Sequence, residues 1–177
     1  HARILPRQNS LITICAAAQR QNEDYYMIVR CFEPGDRDDF LRLCRDFYES
    51  HATLRPFDAD ISHLTFEHAI KRHANLSGYL MVDKQSTEPI GYALITSYWC
   101  NEEGGKVVVL DELYISPKNR HKGYATKFME WLEKEYRGRA VSVSLEVLND
   151  NVTARQLYAK EGFAPDGFIT YSKRIPQ

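Results

Sequence analysis

Apolar positions change their spacing several times along the chain, and each change marks an element. From Tyr25 to Phe32, "YYMIVRCF" is dense in aromatic and β-branched residues, the composition of a strand. "EPGD" (Glu33 to Asp36) interrupts it. Phe40, Leu41, Leu43, Cys44, Phe47 and Tyr48 then recur at helical spacing, giving strand, turn and amphipathic helix. A second helix is expected from about Ser62 to His73, with Leu64, Ala69 and Ile70 facing a core and Arg72 and His73 suiting the C-terminal dipole.

From Gly78 the texture turns to β. "YLMVD", "IGYALITSYW" and "KVVVLDELYI" are separated by "KQSTEP" and "NEEGG", which predicts three strands in an antiparallel meander. Ala125, Phe128, Met129, Leu132 and Tyr136 next share one face of a helix from about His121 to Tyr136, ended by Arg137 and Gly138. "AVSVSLEVL" (Ala140 to Leu148) alternates as a strand, and a short helix from about Asn151 to Lys160 closes at Gly162. A last strand pair is expected near Phe163 and from Phe168 to Lys173.

The order β-α-α-β-β-β-α-β-α-β-β implies an α/β (α+β) fold: a mixed, mostly antiparallel twisted sheet of about six or seven strands with helices on both faces. At 177 residues one domain is expected, covering 25–177, with 1–24 as an N-terminal extension. "LITICAAAQ" in that extension follows Arg3 and Arg7 and ends in small residues, as a signal peptide does, but its apolar run is at the lower limit of length. A peripheral strand, helix or extension is the reading taken.

Composition narrows the partners. Hydrophobic residues make up 44% and charged residues 27% of the chain, as in a globular domain. Twenty-three basic and 24 acidic residues leave a net charge of -1, so no global field draws nucleic acid or an anionic membrane. No apolar run reaches the roughly 20 residues of a membrane span. Cys15, Cys31, Cys44 and Cys100 form no CxxC pair and are expected to be reduced thiols in a cytoplasmic protein. His63, His68 and His73 are spaced by five, not four, and no HExxH occurs, so no metal site is expected.

The local exception to neutrality is "PKNRHKGYATKF" (Pro117 to Phe128), a basic turn entering a helix. A helix N-terminus presents unpaired N–H groups and the positive end of the macrodipole, and so suits a phosphate. Gly123 permits close backbone approach and Ala125 keeps the next contact small, while Arg120, His121 and Lys122 add charge. The spacing fits neither a Walker loop nor a GxGxxG fingerprint. On this segment alone, a solvated loop is an equal alternative to a pyrophosphate cradle.

Context decides between them. "LDELYISPKNRHKGYATKFMEWLEKE" followed by "LEVLNDNVTARQLYAKEGF" resembles the GNAT superfamily of acyl-CoA-dependent N-acetyltransferases. Arg120, Gly123 and Ala125 fill the three positions of its Q/R-x-x-G-x-G/A motif. Asn151, Ala154, Tyr158, Lys160, Gly162 and Phe163 stand in the register of its later signature. Two motifs in the right order are far more specific than either alone. The resemblance runs from about Tyr79 to Phe163 and extends to the first strand and helix from Tyr25.

It implies acetyl-CoA as cosubstrate, held between two splayed parallel strands ending near Ile115 and Val147. Leu113, Tyr114 and Ile115 would contribute backbone to the pantetheine arm; backbone from Arg120, His121, Lys122, Gly123, Tyr124, Ala125 and Thr126 would hold the pyrophosphate. Asn151 would touch the cofactor arm, and Tyr158 would lie near the sulfur. Transfer to an amine needs an acid for the departing thiolate and a base for the amine. Tyr158, a phenol protonated at neutral pH, suits the first.

For the base, "LDELYI" offers Asp111 and Glu112, and strand alternation should send them to opposite faces. Similarity to polyamine-type members nominates Glu112, acting through water, with Asp111 as the other candidate. The acidic pair points to a small cationic amine. Asp46, Tyr48, Glu49 and His51 are placed where the family builds its acceptor wall, whereas Phe40, Leu43 and Phe47 belong to the core. A protein amine as acceptor and a non-catalytic acetyl-CoA-binding module are the alternatives, and a homodimer is common in the family.

Overall fold

The computed structural model describes residues 27–50, 52–71 and 75–176. The strands are β1 (Met27–Cys31), β2 (Leu76–Asp83), β3 (Pro89–Cys100), β4 (Gly105–Ile115) and β5 (Ser142–Leu145). The helices are α1 (Arg37–Glu49), α2 (Ala59–Ile70), α3 (Tyr124–Tyr136) and α4 (Val152–Lys160). One five-stranded sheet runs in the order β1-β2-β3-β4-β5. Its first three pairings are antiparallel, and β4 with β5 is parallel.

Each face carries its own core. Met27, Val29, Tyr79, Met81, Ala93 and Ile95 meet Phe128, Met129, Trp131 and Leu132 of α3. Leu80, Val82, Tyr92 and Leu94 meet Phe40, Leu43, Cys44 and Phe66 of α1 and α2. Because β2 and β3 are covered on both sides, successive residues are all buried, and their sequence reads as an apolar run rather than an alternation. Helices on both faces and a largely antiparallel mixed sheet are as the pattern predicts.

Four expectations need correction. Among the described residues the sheet has five strands, not six or seven: residues 163–176 contain neither strand nor helix. Ile169 and Tyr171 alternate with Thr170 and Ser172, yet they and Phe168 are 76%, 90% and 78% exposed. Strand periodicity without a face to bury does not make a ladder.

The second helix starts at Ala59 and is capped by Asp58, whose carboxylate accepts from the N–H groups of Asp60 and Ile61. Its buried face is Ser62, Phe66 and Ala69, leaving Leu64 62% exposed. Helix α3 starts at Tyr124 rather than His121, because His121 (φ 60°) and Gly123 (φ 79°) have left-handed backbones that a right-handed helix cannot contain. Cys31 is disulfide-bonded, so not all four thiols are reduced; Cys44 and Cys100 are free. Tyr25, His51, Arg72, His73 and residues 1–24 lie outside the described residues.

Among the described residues, no helix is long and apolar enough to cross a membrane.

Candidate active site

The loop from Arg120 to Gly123 leads directly into α3. Gly123 occupies the N-cap with no side chain to satisfy the helix's first donors, and the first bond returning to it is Lys127 N–H to its carbonyl, 3.0 Å. The N–H groups of Tyr124, Ala125 and Thr126 therefore lack partners within the helix. A Cβ placed on Gly123 would meet no protein atom within 4 Å, so open space lies beside these donors.

The basic side chains are largely committed elsewhere. Arg120 Nε donates to the Ile115 carbonyl (3.0 Å), and its guanidinium lies 5.5 Å from the centre of the Tyr114 ring. Lys118 pairs with Glu88 at 2.6 Å, and Lys122 Nζ approaches Asn119 Oδ1 at 3.4 Å. Backbone amides, more than side-chain charge, are what the cradle offers.

Pairing of β4 with β5 runs only from Val107↔Ser142 to Leu110↔Leu145, while β4 continues to Ile115. The strands part at Leu110. At that point the β3–β4 register slips: Leu94 faces Glu112 and Ile95 faces Leu110, leaving Asp111 as the extra residue of a β-bulge. Before the bulge Val108 and Leu110 pack toward α3; after it Leu113 and Ile115 do.

Asp111 and Glu112 consequently share the opposite side of the sheet, and the expectation that alternation would separate them is overturned. Both line one cavity of about 480 Å³. Tyr48, Thr65, His68, Asn75 and Thr96 supply its other polar walls, with Leu76 and Leu94 as apolar ones.

The two carboxylates differ. Tyr48 Oη donates to Glu112 Oε1 at 2.9 Å and Tyr92 Oη donates to Oε2 at 2.6 Å. Tyr92 is fully buried and wedged edge-on against Phe40 and Phe47, with ring centroids 5.2 and 6.2 Å away. Burial raises the Glu112 pKa, the two tyrosine hydrogen bonds oppose that, and the Asp111 charge adds to the rise.

Burial, and then the Glu112 charge, raise the pKa of Tyr48 and Tyr92 in turn, so both remain protonated donors. Cys44, behind Tyr92, has its thiol pushed up to about 11 by burial and is inert at neutral pH. The Asp111 side chain, exposed at the bulge, makes no hydrogen bond or ion pair among the described residues, and its pKa is raised by partial desolvation and then by the Glu146 charge.

Tyr158 lies on α4, partly buried at the margin of the α3-side core, with Phe163 6.0 Å away ring to ring. Burial lifts its phenol above the ordinary value of 10. It belongs to the α3-side core, whereas the acidic cavity lies on the α1/α2 side of the sheet. Asn151 caps α4, its Oδ1 accepting from Ala154 N–H at 3.2 Å, which leaves the amide nitrogen for a ligand.

Tyr114 is buried in the α1/α2-side core and presents only backbone to the gap. Leu113 and Ile115 likewise point their side chains into the α3-side core. Glu49 is exposed and does not line the cavity, and Asp46 acts on Tyr114 rather than on the cavity.

Sequence reasoning missed Tyr92, Thr65, His68, Asn75 and Thr96. It also missed the bulge, although the switch from Val108 and Leu110 to Leu113 and Ile115 across two acidic residues was the available signal.

A helix start with free amides, a gap between parallel strands and an acidic cavity on the other side of the sheet are brought together by this fold. Residues 38–163 match the Acetyltransferase (GNAT) family, and the chain belongs to it. It is an acetyl-CoA-dependent acetyltransferase.

The Saccharomyces cerevisiae D-amino-acid N-acetyltransferase HPA3 is 23% identical over 152 residues, 77% of this chain and 92% of that protein. The aminoglycoside N-acetyltransferase AAC(6')-Iy in complex with CoA has the same fold, with a TM-score of 0.68 at 16% identity over 84% of this chain and 95% of that one. So does a ribosomal-protein-alanine N-acetyltransferase from Brucella melitensis biovar Abortus 2308, with a TM-score of 0.66 at 17% identity over 85% and 99%.

The residues present fit acetyl-CoA. The unpartnered amides of Tyr124 to Thr126 suit a pyrophosphate, and the parted strands leave the backbone of β4 from Asp111 to Ile115 without a partner on the β5 side.

Proposed function

We propose that this enzyme acetylates a primary amine of a small cationic molecule, of diamine or polyamine type, in a direct transfer. The observation that carries the reading is the bulge, which turns two carboxylates into one cavity beside the parted strands. Acetyl-CoA supplies the acetyl group as a thioester. The amides of Gly123, Tyr124, Ala125 and Thr126 hold its pyrophosphate, with Arg120, His121 and Lys122 as helpers. Backbone of Leu113, and Asn151 through its amide nitrogen, orient the arm; the Ile115 carbonyl is shared with Arg120.

Tyr158 donates its phenolic proton where the thiolate departs, and its raised pKa keeps that proton available across the physiological range. The carboxylates at Asp111 and Glu112 attract the ammonium and take up its proton, directly or through water. Their raised pKa values bring them closer to working pH as bases than an exposed carboxylate would be.

The test is release of free thiol from acetyl-CoA across polyamines, aminoglycosides, amino acids and peptides. Polyamine acetylation that falls about a hundredfold in kcat in Tyr158→Phe, with KM little changed, supports the reading. Turnover unchanged in Tyr158→Phe removes the acid from the mechanism, and acetylation of peptides alone moves the acceptor to proteins.

The proposal includes a homodimer. Among the described residues β5 is the last strand of the sheet, and Phe168, Ile169, Tyr171 and Ile175 are highly exposed. Light scattering should give twice the monomer mass; a monomer at all concentrations counts against it.

A further inference from the structure

The side chain of Arg120 leaves the turn before α3 and returns to the sheet. Its Nε donates to the Ile115 carbonyl at 3.0 Å, and its guanidinium lies 5.5 Å from the centre of the Tyr114 ring, within the range of a cation–π contact. That ring is buried on the α1/α2 side, with centroids 5.9 Å from Phe47 and 6.2 Å from Tyr92. Phe47 packs edge-on against Tyr48 at 5.6 Å, and the hydroxyls of Tyr48 and Tyr92 hold Glu112 at the acidic cavity. The Tyr114 ring thus stands between a side chain of the cofactor turn and the aromatic wall behind the cavity.

The turn is folded by local bonds: Asn119 N–H donates to the Ser116 carbonyl and Asn119 Nδ2 to Ser116 Oγ, both at 2.9 Å. Those bonds fix its shape, and Arg120 adds contacts to both Tyr114 and Ile115 at the end of β4. Lys118 reaches Glu88 through an exposed ion pair, which is a weaker tie.

We propose that Arg120 is a positioning residue for the acceptor side: it joins the turn before α3 to the last two residues of β4 and so holds the Tyr114 ring, and with it Phe47 and Tyr92, where the acceptor wall needs them. This role is additional to any contact of its outer nitrogens with the pyrophosphate, and it persists when the acyl donor has none. The inference rests on the reading above that the acidic cavity receives the amine. A guanidinium suits the role because Nε donates to a carbonyl while the planar group lies near a ring. A lysine ammonium on its flexible stem keeps the charge without that geometry.

Two acyl donors test this with the full chain. S-acetylpantetheine carries the thioester and the arm but no pyrophosphate, and acetyl-CoA carries all three. Thiol release is followed with spermidine, kanamycin, D-alanine and an alanine-initiated peptide in wild type, Arg120→Gln and Arg120→Lys. Arg120 is solvent-exposed, so neither replacement touches the core. With whichever of these amines is acetylated, Arg120→Gln should lower kcat/KM about fivefold or more with either donor. The acceptor KM should rise by a similar factor at saturating acetyl-CoA, where a contact to pyrophosphate alone no longer limits the rate. Arg120→Lys should not recover the loss, and Lys118→Gln, which removes a like charge from the same turn, should change kcat/KM by less than about twofold.

A loss seen with acetyl-CoA but absent with S-acetylpantetheine, an acceptor KM unchanged at saturating donor, or full recovery in Arg120→Lys overturns the inference and leaves amine acetylation standing. Should wild type release thiol from S-acetylpantetheine too slowly to measure, the acceptor KM and the lysine variant decide. Acetylation of none of the four amines overturns the amine reading of the cavity, and this inference with it.

Discussion

Glu112 holds a charge where burial makes charge expensive, and the two tyrosines offset only part of that cost. With its folded pKa above the unfolded one, the native state binds a proton that the unfolded state has released. The carboxylate therefore costs stability as pH rises from its unfolded value through its raised one, and costs nothing below both. Glu112→Gln should be more thermostable than wild type at neutral pH, and the difference should vanish on acidification. A variant less stable at every pH would mean that the tyrosine hydrogen bonds outweigh the burial.

The same two raised carboxylates place the acidic limb of kcat/KM above the ordinary carboxylate range, which a pH profile checks. In the cradle, Gly123→Val forces a β-branched side chain into a left-handed backbone and into the open space beside the free amides. Acetyl-CoA affinity measured by calorimetry should fall by about tenfold or more. Lys122→Gln, removing an exposed charge, should change it by about twofold. The reverse order would contradict a cradle built on backbone.

Among the elements, β4 carries most of the functional information. Deleting Asp111 would remove the bulge without changing the hydrophobic phase, because Leu110 and Leu113 would still face α3 with Glu112 between them on the other side. The deletion variant should fold and unfold cooperatively yet lose about a hundredfold in acetyl transfer, as the strands are drawn together and the acceptor wall is lost. Aggregation instead would show that the bulge is needed for folding. Asp58→Ala, which strips the cap of α2, should cost about 1 kcal/mol in denaturant unfolding.

These elements also show what a sequence can reveal. The apolar faces of α1 and α3 and the β2–β4 meander were legible because burial on a single stripe or between turns imposes a period. The end of the chain was misread because "FITYSK" has the period of a strand but no neighbouring ladder. The turn into α3 was legible because Gly123 marks a left-handed position where a helix begins. The acidic cavity was only half legible. Its walls come from α1, α2, β3 and β4, and the pairing that gathers Tyr92 and Tyr48 onto Glu112 depends on a register slip that no single strand announces.

At the scale of the molecule, one sheet separates two cores. The cradle at the start of α3 and Tyr158 lie toward one side, and the acidic cavity opens on the other, with the parted ends of β4 and β5 between them. A chain of net charge -1 has no long-range field to gather a substrate, so selection falls to these local groups. The most direct measurement is a crystal structure with a bisubstrate analogue in which CoA is joined to spermidine. The expected result is pyrophosphate on the amides of Gly123 to Thr126, the arm between β4 and β5, and an ammonium against Asp111. A polyamine chain directed away from the Asp111–Glu112 cavity, or pyrophosphate bound elsewhere, would contradict it.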